Sequence, residues 1–287
     1  MATRPTVTGF FHEPTCSIAY LVEDLATKQA VLIDPVLDFD EKASRVSTGF
    51  ADRLIMAVRE RGLTVSCILD THPHADHFSA AAYLKDKLGA PTAIGEKIVD
   101  VQTLWCGIYN LPEFPANGSQ WDRLFTDGET FSVGDVPARV MFSPGHTLAS
   151  ITYVIGDAAF VHDTIFQPDF GTARADFPGG SAKQLYRSIM AILALPEETR
   201  LFTGHDYMPG GRPPQWESTV GEQKRANQHL KNRPSEADFV RMREARDKTL
   251  PMPKLILQSL QVNMRGGRLP EPEANGRSYL KIPVGAL

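Results

Sequence analysis

The stretch Thr71-His72-Pro73-His74-Ala75-Asp76-His77 contains three histidines and one aspartate within six consecutive positions. Residues 65–70 before it form a short apolar run typical of a buried strand, and residues 78–85 after it are rich in helix formers. The cluster is therefore predicted to lie in a strand-to-helix loop, where its side chains can turn toward one point. Imidazole and carboxylate are the usual ligands of divalent first-row metals, so the stretch predicts a metal site.

The chain before this cluster reads as strands followed by a helix. Residues 17–22 and 30–33 are apolar segments around a polar turn, which predicts a hairpin. Residues 50–61 carry apolar side chains at helical spacing. Asp34 ends the second strand and has two interpretations: it faces the metal, or it is a strand-end carboxylate bonded to loop amides.

The middle of the chain repeats this arrangement of strand ends with polar residues. A predicted strand over residues 138–143 runs into His146, and a predicted hairpin over residues 150–161 ends at His162 and Asp163. We expect His146 to be a metal ligand and Asp163 to supply the carboxylate that completes the set. His162 is expected to point to the opposite side of its strand, so we leave it out of the site.

The last third of the chain contains one more strand end with a histidine. Residues 181–195 are predicted to form a helix, and a short strand at residues 200–203 leads to Gly204-His205-Asp206-Tyr207. Residues 217–231 and 235–249 are polar and are predicted to form outer helices. The tail from residue 250 is rich in proline and carries no catalytic signal.

Composition limits the class of protein. The chain has 287 residues, of which 42% are hydrophobic, enough for a sizeable core, and a net charge of −4 with scattered basic residues argues against nucleic-acid binding. We find no apolar stretch long enough for a membrane span and no apolar segment of a signal peptide near the N-terminus, and the three cysteines suit a reducing compartment. We therefore expect a cytoplasmic protein with no membrane partner. We expect a catalytic domain over residues 1–249, with residues 250–287 as a C-terminal extension packed on it.

The histidine motifs resemble those of the metallo-β-lactamase superfamily in type and order. That family has an αββα sandwich, an α/β (α+β) fold with the metal at one edge of its sheets. Residues 166–180, with Arg174 and Phe177, and the tail segment 260–265 are similar to the persulfide dioxygenases, also called sulfur dioxygenases. The histidine motif is specific for the superfamily, and much less so for the reaction.

The persulfide dioxygenase resemblance implies a single Fe(II) held by His72, His146 and Asp163. The implied reaction converts glutathione persulfide, O2 and water into sulfite and glutathione. Four further residues are expected to orient the ligands and the substrate: His74, Asp76, His77 and His205. Zinc is the alternative metal, and the sequence allows a homodimer.

Glutathione carries two carboxylates, so its pocket needs cations or amide donors. Arg174 is the first candidate because a guanidinium can pair with a carboxylate through two hydrogen bonds. Tyr207 is expected to hydrogen-bond the substrate near the metal. Lys224 and its neighbour Arg225 fall where the family has a basic residue, although family members often have arginine at the position of Lys224.

Two other functions fit the same residues. One is a glyoxalase II-like thioesterase, in which two metals activate water against a glutathione thioester. All seven residues that such a site uses are present, so the ligand count does not separate the two reactions, and residues 174–177 with the tail favour the dioxygenase. The other is a non-enzymatic protein that binds or senses metal or sulfur species, which a full ligand set makes the weaker hypothesis.

Overall fold

Fifteen strands and seven α-helices follow one another in residues 4–287, the part of the chain that this computed structural model describes. In chain order they are β1 Thr6–His12, β2 Ser17–Asp24, β3 Gln29–Ile33, β4 Val36–Asp40, β5 Arg45–Ser47, α1 Gly49–Glu60, β6 Thr64–Leu69, β7 Phe78–Ser79, α2 Ala81–Leu88, β8 Thr92–Gly95, α3 Ile98–Tyr109, β9 Arg123–Phe125, β10 Thr130–Val133, β11 Val136–Phe142, β12 Ile151–Ile155, β13 Ala158–His162, α4 Ala182–Leu193, β14 Arg200–Thr203, β15 Glu217–Thr219, α5 Val220–Ala226, α6 Glu236–Asp247 and α7 Ile256–Asn263. None of these helices combines the length and the apolar character needed to cross a membrane.

Two six-stranded sheets form the centre of the molecule. The first has the strand order β1-β2-β3-β6-β8-β9, and the second has the order β10-β11-β12-β13-β14-β15. A third, three-stranded sheet has the order β5-β4-β7. The first two sheets pack face to face, because one apolar cluster contains Tyr20 and Ile33 from the first sheet and Tyr153 and Phe160 from the second.

Strand β2 shows why the first sheet is covered on both faces. Its residues are all buried and alternate between two clusters: Ile18 and Tyr20 face the second sheet, whereas Ala19 and Leu21 face the helices. Successive side chains on a strand point to opposite faces of the sheet. Because both faces are buried here, the residues at odd and at even positions must all be apolar or otherwise accommodated in the core. The continuous apolar run in the sequence follows from that position.

Helices cover the outer face of each sheet. Phe50 and Leu54 of α1, with Leu84 of α2, pack against the first sheet. Leu185 of α4 and Phe239 of α6 pack against the second sheet in the same way. The layers are therefore helix, sheet, sheet and helix, and the predicted αββα sandwich is confirmed.

The strand directions bring the polar strand ends to one edge. Strands β11 and β13 both pair antiparallel with β12, and β13 pairs parallel with β14, so these three strands run the same way. Strand β6 of the first sheet ends at the same edge, where the Ile151 amide donates a 3.0 Å hydrogen bond to the Thr71 carbonyl oxygen. Loops that follow these four strands therefore meet at one place.

Two local predictions differ from the structure. Phe78 and Ser79 form β7 instead of beginning a helix, because they pair with Leu37 and Val36 of β4, and α2 begins only at Ala81. The segment predicted as a helix over residues 217–231 begins as the edge strand β15 and is helical only in α5. Pairing with a neighbouring strand outweighs local helix propensity in both cases.

The tail contributes a buried helix, which its proline content did not predict. Leu260 of α7 and the following Met264 pack in one cluster with Trp105 and Tyr109 of α3. The hydroxyl of Tyr109 donates a 3.0 Å hydrogen bond to the carbonyl oxygen of Leu257. The division at residue 249 remains a prediction.

Candidate metal centre

Seven side chains from the predicted site converge at the edge formed by the strand ends. His72, His74, Asp76 and His77 follow β6, and the other three follow or end strands of the second sheet. The potential ligand atoms form two groups, within each of which all atoms lie within 4.8 Å of one another. We call His72, His146 and Asp163 the three-residue group, and His74, Asp76, His77 and His205 the four-residue group.

Asp163 lies between the two groups. Its Oδ2 atom is 3.6 Å from Nε2 of His146 and 3.9 Å from Nε2 of His72. The same oxygen is 3.3 Å from Nε2 of His205 in the four-residue group. Gly204 permits this close approach, because a Cβ atom there would lie 2.5 Å from Oδ1 of Asp163.

The two imidazoles of the three-residue group are held through their Nδ1 atoms. Nδ1 of His146 donates a 2.9 Å hydrogen bond to the carbonyl oxygen of Arg174. Nδ1 of His72 lies 2.9 Å from Oγ1 of Thr71, whose single proton is donated to Asp34 at 2.7 Å, so Thr71 accepts from His72. Both Nε2 atoms are therefore left with a free lone pair directed at Asp163, which is the state that binds metal.

The four-residue group is arranged differently. Nε2 of His74 lies 3.1 Å from Oδ1 of Asp34, an ion-pair distance, although neither ring nitrogen of His74 has a hydrogen-bond partner among the described residues. Nδ1 of His77 donates to the Phe78 carbonyl oxygen at 3.2 Å. Nε2 of His205 lies 3.5 Å from Oδ2 of Asp76, in addition to its contact with Asp163. Ion pairs with carboxylates therefore hold two of these three histidines.

Asp34 follows the second of its two sequence interpretations most closely. Its Oδ1 accepts a 2.7 Å hydrogen bond from the amide of Thr71, and its Oδ2 accepts the Thr71 hydroxyl. The same Oδ1 atom also lies close to Nε2 of His74. Asp34 is thus a strand-end carboxylate that fixes the start of the loop and supports one of its histidines.

The pKa values of the two groups also differ, because a histidine of the three-residue group is held neutral and one of the four-residue group is held protonated. Burial, with the neighbouring histidines, holds the pKa of His72 well below its usual value. Burial acts to raise the pKa of Asp163, but the charge of His205 and its contact with the carboxylate hold this pKa well below its usual range. Burial acts to lower the pKa of His205, but Asp163 and Asp76 raise it to about 10. The three-residue group is ready to bind a cation, whereas His205 must first lose a proton.

A metal would satisfy the buried polar atoms that the protein itself leaves unpaired. Among the described residues, buried atoms without a hydrogen-bond partner include Nε2 of His72, Oδ2 of Asp76, Oδ1 of Asp163 and Nδ1 of His205. Such groups are rare in folded proteins unless an ion or water pairs with them. The donor set, imidazole nitrogens with carboxylate oxygens, suits iron or zinc.

His162 lies nearer to the centre than the strand pattern predicted. The pairing of β13 with β14 shifts its register between Phe160 and His162, and His162 has a positive φ of 39°. Its ring centre is 5.0 Å from that of His72, and its Nε2 lies 3.0 Å from the hydroxyls of Ser143 and Thr164. Simple alternation fails here because the strand is irregular at its last residue.

A cavity of about 790 Å³ opens onto the metal donors. Asp76, His77, His146 and Asp163 line it, as do residues 250–255 of the tail. Tyr207 and Arg174 also line it, whereas the lining residues do not include Lys224 or Arg225. Instead, Nζ of Lys224 lies 3.7 Å from Oε1 of Glu197.

Each nitrogen of the Arg174 guanidinium already donates one hydrogen bond to the protein. Its Nε and Nη2 donate to the carboxylate of Asp176 at 2.6 and 2.8 Å, and its Nη1 donates to the carbonyl oxygen of Pro251 at 2.6 Å. The Arg174 carbonyl oxygen in turn holds His146. Arg174 therefore links the tail to a metal donor, and its role in substrate binding remains a prediction.

Known proteins resemble this chain in sequence and fold. The sequence model of the metallo-beta-lactamase superfamily matches residues 17–205. A beta-lactamase hydrolase-like protein of Xylella fastidiosa is 68% identical over 283 residues, 99% of this chain but only 65% of that protein. The mitochondrial persulfide dioxygenase ETHE1 of Homo sapiens is 29% identical over 260 residues, 90% of this chain and 87% of that protein.

A solved structure agrees with these sequence matches. The crystal structure of ETHE1 from Myxococcus xanthus has a TM-score of 0.74 and 31% identity, and the match covers 92% of this chain and all of that one, 100%. The family predicted from the histidine motifs is confirmed, and this chain belongs to the metallo-beta-lactamase superfamily.

Proposed function

We propose that this protein is a persulfide dioxygenase that binds one Fe(II) through His72, His146 and Asp163. The substrate is glutathione persulfide, which reacts with O2 and water to give glutathione, sulfite and two protons. The outer sulfur of the persulfide supplies all the electrons that reduce O2. The similarity to the human persulfide dioxygenase supports this reaction.

The observation that carries the proposal is the prepared state of the three-residue group. Two neutral imidazoles, each held at Nδ1, direct Nε2 toward one anionic carboxylate. Two histidines and one carboxylate are the ligand set of non-haem Fe(II) oxygenases, and they leave other positions on the metal open. When bound, the iron would supply a centre at which the persulfide and O2 meet and exchange electrons.

The four-residue group has a supporting role in this proposal. His205 and Asp76 form an ion pair next to Asp163, and the positive charge of His205 keeps the Asp163 carboxylate ionised. The ring of Tyr207 stacks on His205 with 5.6 Å between ring centres and reaches the cavity, where its hydroxyl can donate to a substrate. Phe166, Phe170 and Phe177 form apolar walls that exclude water from the reacting sulfur.

The cavity also offers cations to an acidic substrate. Its lining includes five basic side chains, Lys42, Arg174, Arg243, Arg246 and Lys254. Arg174, Arg243 and Lys254 pair with carboxylates of the protein. Lys42 and Arg246 make no ion pair within residues 4–287. These two free cations suit the two carboxylates of glutathione.

A glyoxalase II-like thioesterase is the second candidate. Asp163 lies within 3.9 Å of histidines from both groups, a position from which one carboxylate can serve two metals. The Xylella fastidiosa relative, whose name describes it as hydrolase-like, is more similar in sequence than the persulfide dioxygenase. Two zinc ions per chain would convert the same edge into a hydrolytic centre.

The two candidates differ in metal content and in O2 use. Protein loaded anaerobically with Fe(II) is expected to retain one iron per chain and to consume O2 when glutathione persulfide is added. S-lactoylglutathione, a glutathione thioester, serves as the matched substrate for the hydrolase. Thioester hydrolysis without O2 uptake would reject the dioxygenase.

A further inference from the structure

Residues 71–77, which we call the metal loop, have almost no hydrogen bonds to other main-chain groups among the described residues. Within the described chain, no residue from 72 to 77 takes part in a backbone–backbone hydrogen bond, although Thr71 does, through its carbonyl oxygen. His72, His74 and His77 are nevertheless buried to 2% exposure or less. Buried carbonyl groups are almost always paired, so other groups must hold this loop.

Asn263, at the end of α7, supplies these partners. Its Nδ2 donates to the carbonyl oxygens of His74 and His77, each at 2.7 Å. Its Oδ1 accepts a 2.7 Å hydrogen bond from the amide of Ser79. The side chain is 2% exposed, so these three hydrogen bonds use both donors and the acceptor of an amide shielded from water.

Both ends of the loop are therefore fixed from outside it. Asp34 holds the amide and hydroxyl of Thr71, and Asn263 holds the carbonyls of His74 and His77. Only an amide side chain can donate to both carbonyls while accepting from an amide N–H. Asn263 also lies outside residues 17–205, the part of the chain that the superfamily model matches.

We propose that Asn263 is a positioning residue of the metal centre, which holds the metal loop in its binding geometry from the C-terminal helix. This inference concerns the donors of the loop and is independent of which reaction the centre performs. Residues that orient metal ligands through one hydrogen bond typically change metal affinity by about 10- to 100-fold when they are removed. The loop contributes His72 to the three-residue group and three residues to the four-residue group.

Gln261 provides a matched control on the same helix. It is also 2% exposed, and its Nε2 donates to the carbonyl oxygens of Leu257 and Lys281 at 2.6 and 2.7 Å. Its Oε1 accepts the amide of Lys281 at 2.8 Å. Gln261→Leu therefore removes two donated hydrogen bonds and one accepted hydrogen bond, as Asn263→Leu does, but none of those that Gln261 makes involves the metal loop.

The test compares the metal affinities of full-length Asn263→Leu, Gln261→Leu and the unchanged chain. Each metal-free protein is titrated with Co(II) against a chelator, and thermal unfolding of the metal-free forms is recorded. We expect both variants to unfold at lower temperature, Asn263→Leu to bind Co(II) at least about 10-fold more weakly, and Gln261→Leu to bind it within about 3-fold of the unchanged chain. Equal loss of affinity in both variants, or unchanged affinity in Asn263→Leu, overturns the proposal.

Asn263→Asp addresses the case in which the leucine variant does not fold. Aspartate has the same shape and keeps the acceptor for Ser79, but it offers at most one proton where two carbonyls need one each. We expect it to fold, to bind Co(II) more weakly and to shift the visible absorption of the bound ion. Unchanged affinity and absorption contradict the proposal, and failure of both variants to fold would assign Asn263 to folding instead of positioning.

Discussion

The two donor groups share one edge and one carboxylate, yet they differ in how far the protein has prepared them. In the three-residue group, His72 and His146 are held at Nδ1 and face Asp163 with Nε2 free. In the four-residue group, His74 faces Asp34 and the pKa of His205 is raised to about 10 by its carboxylates, against the effect of burial. A cation meets two free imidazole nitrogens in the first group, whereas in the second group it must also displace a proton from His205.

This difference means that the number of potential ligands does not predict the number of bound metals. Seven donors lie at this edge, but a donor contributes to affinity only if its lone pair is free and its position is fixed. In the three-residue group His72 and His146 fulfil both conditions, and Asp163 keeps Oδ1 without a hydrogen-bond partner. The one-iron proposal therefore rests on the hydrogen bonds behind the ligands.

Removing the shared carboxylate should have the largest effect. Asp163→Ala deletes the only anion of the three-residue group, so we expect bound iron to fall from one per chain to nearly none, with turnover lost in parallel. Elemental analysis after desalting measures the metal. Asp157→Ala, in the turn at the other end of β13, is the control and should keep its iron. Iron retained in Asp163→Ala would contradict the assignment of the three-residue group as the iron site.

Iron removal should destabilise the protein by an amount that depends on the three-residue group. A ligand present at 100 times its dissociation constant stabilises the folded state by about 2.7 kcal/mol. We expect this gain in thermal unfolding for the unchanged chain and no gain for His146→Ala. An equal gain in both proteins would mean that iron binds elsewhere.

His77→Ala tests the four-residue group separately. The one-iron account predicts that the variant keeps one iron per chain and loses about tenfold in turnover, because His77 only supports the site. The two-metal account predicts a fall from two metals to one. Metal counts on both proteins, prepared identically with iron or zinc, separate the accounts.

The smallest expected effect concerns substrate binding. Arg246→Ala removes a cavity cation that forms no ion pair among residues 4–287, so we expect an increase in KM for glutathione persulfide of about fivefold, with kcat unchanged. Arg174→Ala, the variant suggested by the sequence, also removes contacts to Asp176 and Pro251. It should alter kcat as well as KM, because the lost side-chain contacts fix the Arg174 main chain, whose carbonyl oxygen holds His146. A pure KM effect in Arg174→Ala would instead favour direct substrate binding.

Much of the fold could be predicted from local patterns. Hairpin β2–β3 and helix α1 lie within a few residues of their predicted bounds, because apolar periodicity reports burial directly. Each of the seven potential ligands follows a strand that the sequence marks clearly, and the structure brings them to one edge, while their roles remain predictions. Parallel strand ends meet at one edge, so local prediction was sufficient to assemble the site.

The remaining features depend on contacts between distant segments. The engagement of Arg174 by Pro251, the partner of Lys224 and the hold of Asn263 on the metal loop join residues far apart in sequence. No periodicity or spacing encodes such pairs. The proline-rich tail gave no sign of its short helix α7, of whose two buried amide side chains that of Asn263 bonds to residues of the metal loop.

The most direct test is O2 consumption by protein that contains one iron per chain. Iron-loaded protein is placed in an oxygen electrode with glutathione persulfide, and sulfite is measured in the same sample. The account predicts one O2 consumed for each sulfite formed, with activity proportional to iron content up to one per chain. Two metals per chain, with thioester hydrolysis and no O2 uptake, would contradict it.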